Sequence, residues 1–341
     1  MKKRVLLSAV ALVASVAASA QMMPDSTVQI VAYWSKGDKI SYDCTATTYT
    51  TDENDNRSDI SATSETRVFE VLDAREDGYT LRLSYKNVFS PNTVDYLTPE
   101  EYHALCENLT ITFTTDKFGS VTGIVDSEGC KTLLSNMIDK MAERKLKEMD
   151  KDARKAFPKE EFLTNLKSVF CSDEILSLTA AADITPFFTY HGARLDTTQV
   201  YSFPQEFTLP TAGNQTFEVE TKLWVDEKLT DEESAVIRTD ALATKDLLFP
   251  VMLNYSIQLT RSAADMTGEE LTDDEIATGV TEELNKQLRD ISMEVYTTTE
   301  IHLATGWPIQ WYSTRETIVV SDGKTEKKVI EESACVSDEQ Q

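Results

Sequence analysis

The residues able to do chemistry are few, and their spacing limits what they can do. There are three histidines, His103, His191 and His302, and none falls in an H-E-x-x-H or comparable metal spacing. His103 and Cys106 are three apart in a helical segment, so they share a face and offer two metal ligands. A closed zinc site needs four, no matching second pair is present, and a surface histidine is the competing reading. The stretch Asp52-Glu53-Asn54-Asp55-Asn56 places oxygen ligands at alternate positions, like the opening of a calcium loop. Arg57 stands where that loop needs glycine and Thr63 where it needs a bidentate glutamate, so a polar hairpin tip fits better. There is no G-x-S-x-G elbow, Walker loop or dinucleotide fingerprint, and no cysteine lies in a recognisable nucleophile context. With 58 acidic residues, carboxylate pairs for sugar hydrolysis are available by arithmetic alone and carry no information. The expectation is no metal, no cofactor and no enzyme.

Thiols and aromatics are the other candidates. Five cysteines, Cys44, Cys106, Cys130, Cys171 and Cys335, permit two disulfides and one leftover thiol in an oxidising compartment. Cys106 and Cys130 flank Gly119, the apparent turn between strands near 109–115 and 120–126. A hairpin brings its outer ends together, which makes this pair the disulfide candidate. The alternative is that both are small buried thiols filling the core. Phe187, Phe188, Tyr190, Tyr201, Phe203 and Phe207 cluster between 186 and 210, while Trp307 and Trp311 flank the last hairpin. Beside a concave sheet, such aromatics either line an entrance for an apolar ligand or plug the open end as ordinary core. Phe187, Phe188, Tyr190, Trp307 and Trp311 are the candidate ligand-binding residues.

The elements that must position them are mostly strands. Residues 79–89, YTLRLSYKNVF, put Tyr79, Leu81, Leu83 and Tyr85 on one face and Thr80, Arg82, Ser84 and Lys86 on the other. Period two with one wet face describes an antiparallel sheet covered on one side. The pattern returns at 217–225, at 251–259 (Val251, Leu253, Tyr255, Ile257, Leu259) and at 291–303. The C-terminal part reads as a meander: a strand ending near Thr305-Gly306, a second over 309–320, and a turn at Asp322-Gly323 into a third. Helices start at LTPEEY (97–102) and LTDDEI (271–276), where Thr98 with Glu101 and Thr272 with Glu275 form capping boxes; Thr230 and Glu233 form another. These near-copies raise the question of an internal duplication. The block 130–182 carries Leu133, Leu134, Met137, Met141 and Leu146 on one helical face. It breaks at Pro158 and resumes with Phe162, Leu166, Val169 and Phe170, a pair expected to cover the apolar side of the sheet.

The first twenty residues read as a cleavable secretory signal: Lys2, Lys3 and Arg4, an apolar run from Val5 to Ala18, and a small-x-small site at Ala18-Ser19-Ala20. The run is shorter than the roughly 20 residues a membrane helix needs, and no later segment is apolar enough to span as one. A periplasmic or secreted location follows. The formal charge of −25 becomes −25 − 3 = −28 once those three cations are removed. Such a balance repels phosphate backbones, so nucleic acid is not an expected partner.

Two segments resemble known families. FTTDKFGSVTGIVD (113–126), followed by a charged amphipathic helix, resembles exported proteins of unknown function common in Bacteroidetes. ATGWPIQWYSTRETIVVSDGKTEKKV (304–329) resembles the late strands of lipoprotein-carrier (Lol-type) half-barrels. That second resemblance implies a curved antiparallel sheet with helices on its concave side and, in some members, a cavity for acyl chains; it brings no catalytic residues.

The expected fold is α+β, a large curved, half-barrel-like antiparallel sheet covered on one face by amphipathic helices. A first half over 21–185 and a second over 186–341 are expected to pack as one unit. The expected function is a non-catalytic exported binding protein for a lipid or other apolar ligand. A cell-envelope module that docks another protein is the alternative, and an undetected hydrolase the third.

Overall fold

Alternation becomes sheet wherever one face can be buried. The computed structural model describes residues 26–52, 56–90, 97–107, 109–151, 157–209, 212–213, 215–226, 233–267, 272–321 and 324–337. The leader at 1–20, the centre of the calcium-like stretch, Thr230 and the Asp322-Gly323 turn lie outside the described residues. The first half contains β1 (Thr27–Gln29), β2 (Lys39–Thr51), β3 (Arg57–Arg75), β4 (Gly78–Phe89), α1 (Pro99–Cys106), β5 (Thr110–Asp116), β6 (Val121–Asp126) and α2 (Glu128–Glu148). Next come α3 (Lys159–Phe170), α4 (Asp173–Phe188), β7 (Arg194–Asp196), β8 (Val200–Leu209), β9 (Gln215–Val225) and β10 (Ser234–Ala243). The remainder is α5 (Lys245–Thr267), α6 (Asp273–Gln287), β11 (Leu288–His302), β12 (Pro308–Ser321) and β13 (Lys324–Val336).

Eleven strands form one antiparallel sheet in the order β6-β5-β4-β3-β2-β13-β12-β11-β10-β9-β8, and β1 pairs with β7 beside it. The sheet is curved and does not close: β6 and β8 are its edges. Directly paired residues of an antiparallel ladder share a face. The row Val225–Ile237–Thr299–Trp311–Ala334–Cys44–Glu65 therefore runs along one face through seven strands. This inner face carries the buried side chains: Phe69, Leu81, Leu83 and Phe113 in the first half, Val219, Ala241, Met293 and Val295 in the second. The helices lie against it, giving the α+β half-barrel that the alternation predicts.

The strand order also contains a repeat. The runs 6-5-4-3-2 and 12-11-10-9-8 are identical after adding six to each number, and β13 is the strand between them. Six antiparallel steps separate each strand from its counterpart, so the two also point the same way. Both helices that feed the fourth strand of a run, α1 and α6, begin with a complete capping box, at Thr98/Glu101 and Thr272/Glu275. The sequence similarity of these two starts thus coincides with topological equivalence.

Two expectations fail on helices. Residues 251–259 belong to α5, not to a strand. The alternating apolar set there also contains a helical one: Leu248, Val251, Met252 and Tyr255 pack into the second-half core, while Leu259 is exposed. Leu, Met and Gln favour the helix over the strand, and α5 covers β9, β10 and β11. The second failure is α3. Phe162, Val169 and Phe170 were expected against the sheet but are 39%, 58% and 49% exposed, and α3 has no buried residue. The inner face of the first half is already taken by α1, α2 and α4. Accordingly α3 rests on α2, where Lys167 pairs with Asp139 at 2.7 Å. On α2 itself the buried positions are Cys130, Ile138 and Ala142, four or eight apart, with Leu133 and Leu134 packed beside them.

Candidate functional site

On β3 the sequence Glu65-x-Arg67-x-Phe69-x-Val71 puts all four residues on the inner face, so an apolar stripe ends in two charges. Phe69 and Val71 are buried, and Arg67 and Glu65 follow toward the middle of the strand. On α4, Leu176, Ala180, Ile184 and Phe187 are buried against the sheet, and Asp183 reaches the same place from the helix side. Arg67 Nε donates to Glu65 Oε1 at 2.6 Å, its second terminal nitrogen meets Asp183 Oδ1 at 2.9 Å, and its first donates to the Asp183 carbonyl at 3.0 Å. The Tyr85 hydroxyl donates to Asp183 Oδ2 at 2.5 Å.

Burial dominates the electrostatics. It pushes the Glu65 carboxyl up, with Arg67 pulling the other way. Tyr85 is pushed up by burial and by the Asp183 carboxylate. Desolvation would lower Arg67, but Asp183 and Glu65 outweigh it and hold the guanidinium above its usual range. Buried ion pairs are worth little relative to apolar packing, yet losing one partner is expensive.

These groups form one wall of a cavity of about 510 Å³ between β13-β2-β3-β4 and helices α1, α2 and α4. Apolar residues line it too: Val88 on β4, Cys106 closing α1, Leu109, and Cys130, Leu133 and Leu134 on α2. Trp311, Phe187 and Ala334 line it from the core side, and Phe89 and Glu332, both exposed, also reach it. Three thiols face this space. Burial pushes Cys44 up to about 12, and Cys106 and Cys130 up to about 11 each. The helices over the cavity are tied together through Glu101, which caps α1 and also meets Arg144 at 2.6 Å and Lys140 at 3.2 Å on α2.

The expected ligand aromatics separate into three places. Phe187 lines the cavity but is also core, 4.6 Å from Tyr42 and 5.0 Å from Phe69 between ring centroids. Phe188 and Trp307 belong to a box closing the base of the first half: Trp34 stacks on Trp307 at 4.2 Å and meets Phe188 edge-on at 5.7 Å. Tyr190 lies in a separate buried cluster with Val28, Leu195, Ile237 and Ile301. Trp311 is half-buried on the cavity wall. Phe188, Tyr190 and Trp307 thus lie in buried clusters outside the cavity lining, while Phe187 and Trp311 reach the cavity.

His191 joins the aromatic box. Its Nε2 lies 2.8 Å from the Gly306 carbonyl, and complete burial lowers its pKa to about 4. Gly306 has φ +75, and a Cβ there would stand 2.3 Å from the Val31 carbonyl oxygen, so the Thr305-Gly306 turn depends on glycine.

Cys106 and Cys130 are free thiols that line the same cavity, as Cys44 is. The disulfide expectation is thus replaced by its alternative: the end of α1 and the first turn of α2 each seat a small sulfur in the apolar wall. His103 is exposed while Cys106 is buried, so the two do not form a ligand pair. Asp52 accepts from the Asn56 backbone at 2.9 Å and from its side chain, which closes the hairpin tip.

No protein-family model matches the chain, and no curated protein matches it. Among solved structures, the chain is similar to lipovitellin, in a study of its lipid–protein interactions, with TM-score 0.37 and 8% identity over 89% of this chain and 25% of that one. It is also similar to an outer membrane channel from Pseudomonas putida, with TM-score 0.16 and 7% identity over 90% of this chain and 98% of that one. The chain spans only a quarter of the lipovitellin chain it matches. At these scores neither likeness bears on function. Among the described residues, no helix is long and apolar enough to cross a membrane.

Proposed function

We propose that this is an exported, non-catalytic binding protein that holds an apolar ligand in the cavity beneath α1, α2 and α4. The observation that carries the reading is the cavity itself. Its volume of about 510 Å³ lies within the roughly 300–1,000 Å³ of small-molecule sites, whose walls are mostly apolar with a few placed polar groups. The resemblance of 304–329 to carrier half-barrels supports it, and residues 1–20 support export. Against catalysis, no histidine among the described residues lines the cavity and its thiols are held protonated at neutral pH, which deprives them of the thiolate a nucleophile needs. Native mass spectrometry of protein purified without detergent, followed by organic extraction, tests the reading. A discrete co-purifying species released by solvent is expected; an apo mass together with no uptake of any added amphiphile overturns it.

A docking role is the second reading, favoured by the exposed Phe162, Val169 and Phe170 of α3 and Leu178 of α4. Large exposed apolar side chains gathered on neighbouring elements mark interaction surfaces. Cross-linking in the native envelope should then trap a defined partner through α3, and the triple substitution Phe162→Ser, Val169→Ser, Phe170→Ser should abolish it.

A further inference from the structure

Resting on the reading of the cavity as a ligand site, we infer that its ligand is an amphiphile whose polar end is cationic or hydrogen-bond-donating, seated on Glu65, and that anionic amphiphiles such as fatty acids are excluded.

Among the described residues, the charged side chains lining the cavity are Glu65, Asp183, Glu332 and Arg67: three carboxylates against one guanidinium. The guanidinium is already divided between two of the acids. Its Nε is on Glu65, and its two terminal nitrogens are on the Asp183 carboxylate and carbonyl. Asp183 is fully engaged as well, with one oxygen on Arg67 and the other on the Tyr85 hydroxyl. Glu65 differs. Arg67 takes Oε1, and Oε2 has no partner among the described residues. An ionised carboxylate accepts only and has lone pairs on both oxygens, so the cavity presents an unused acceptor on a half-buried, desolvated wall.

An ammonium or hydroxyl there supplies the missing donor. A carboxylate or phosphate instead meets a wall of net charge −2 and must give up hydration with no free cation to receive it. Burial already disfavours the charged form of Glu65, and a cation beside it relieves that cost. The rest of the ligand has an apolar place to go, since Val88, Leu109, Leu133 and Leu134 also line the space. Glu332 is exposed at the cavity wall and adds the same sign where the site meets solvent.

Isothermal titration of the full-length mature protein at pH 7 with three chain-matched probes, each below its micellar concentration, tests this. Dodecylamine is expected to bind at least tenfold more tightly than dodecanoate, with dodecanol between them. Glu65→Gln keeps an acceptor for Arg67 but removes the charge and turns the free oxygen into an amide donor, and should bring the amine and the acid within about twofold. Should that variant fold poorly by circular dichroism, Glu332→Gln provides the second arm and should narrow the ratio in the same direction. Equal binding of amine and acid by the natural protein, or tighter binding of the acid, overturns the inference and leaves the cavity reading standing. Failure of all three probes to bind overturns the cavity reading itself.

Discussion

Arg67 on β3 and Asp183 on α4, 116 residues apart, are joined at both ends of the aspartate: 3.0 Å to its carbonyl and 2.9 Å to its carboxylate. This pair fastens the helix that covers the first half to the sheet beneath it. Arg67 is 18% and Asp183 32% exposed, and loss of the aspartate leaves the guanidinium with Glu65 alone. Asp183→Ala should lower stability by about 2 kcal/mol, since it strands the Tyr85 hydroxyl and removes one of the two carboxylates on Arg67. Urea unfolding of the two proteins at pH 7 measures the difference; a loss below about 1 kcal/mol would mean the pair is solvated rather than fastening.

His191 makes stability depend on acid. Its pKa is about 4 when folded against 6.5 in the free side chain. Between those values the unfolded chain binds the extra proton. The contribution is therefore complete above pH 6.5 and is lost as pH falls toward 4, by about 3 kcal/mol in all. His191→Gln should flatten this part of the profile. Urea midpoints of both proteins at pH 7, 5.5 and 4.5 would reveal it, and parallel profiles would count against it.

The thiols divide by location. Cys335 is exposed and Cys171 half-buried, whereas Cys44, Cys106 and Cys130 are buried in the cavity wall and held protonated. A maleimide pulse at pH 7 read by peptide mass spectrometry should label Cys335 and Cys171 at least tenfold faster than the other three. Disulfide-linked Cys106 and Cys130 in protein isolated without reductant would contradict the free-thiol state.

The two capping boxes are equivalent in topology but not in surroundings. Thr98→Ala and Thr272→Ala should each cost about 1 kcal/mol in stability. Only the first loosens α1, whose capping Glu101 also grips α2 over the cavity. Ligand affinity should therefore fall in Thr98→Ala and stay constant in Thr272→Ala, as calorimetry with dodecylamine would report.

Much of the sheet was legible because its strands keep one wet face. At 79–85 and 291–295 each inward residue is apolar and each outward one polar, so period two identifies the element and its orientation together. The segment 251–259 misled because its apolar residues satisfy both periods, and only the unoccupied inner face over β9 to β11 decides between them. The α3 stripe misled for the converse reason: it is amphipathic, but the surface it would cover was already occupied. The cavity was half-legible. Phe187 and Trp311 stand out as aromatics of the 186–210 stretch and the last hairpin, and Cys106 and Cys130 as thiols flanking the Gly119 turn. Glu65 and Arg67 could have been found as charges continuing an apolar stripe, and Asp183 as the one charge within LTAAADITPFF. Nothing local, however, says that residues so far apart along the chain meet.

The position of β13 has a consequence of its own. Each five-stranded run can grow by pairing strands that follow one another in the chain, but the β2–β13 ladder, with Cys44 beside Ala334, joins segments from opposite ends of the chain and must wait for a slow non-local encounter. The cavity uses both of those residues, so it comes into being only when that seam zips shut. Whatever occupies it clamps the seam by mass action, and the rate at which an empty molecule lets the two runs part would set how long cargo can be retained.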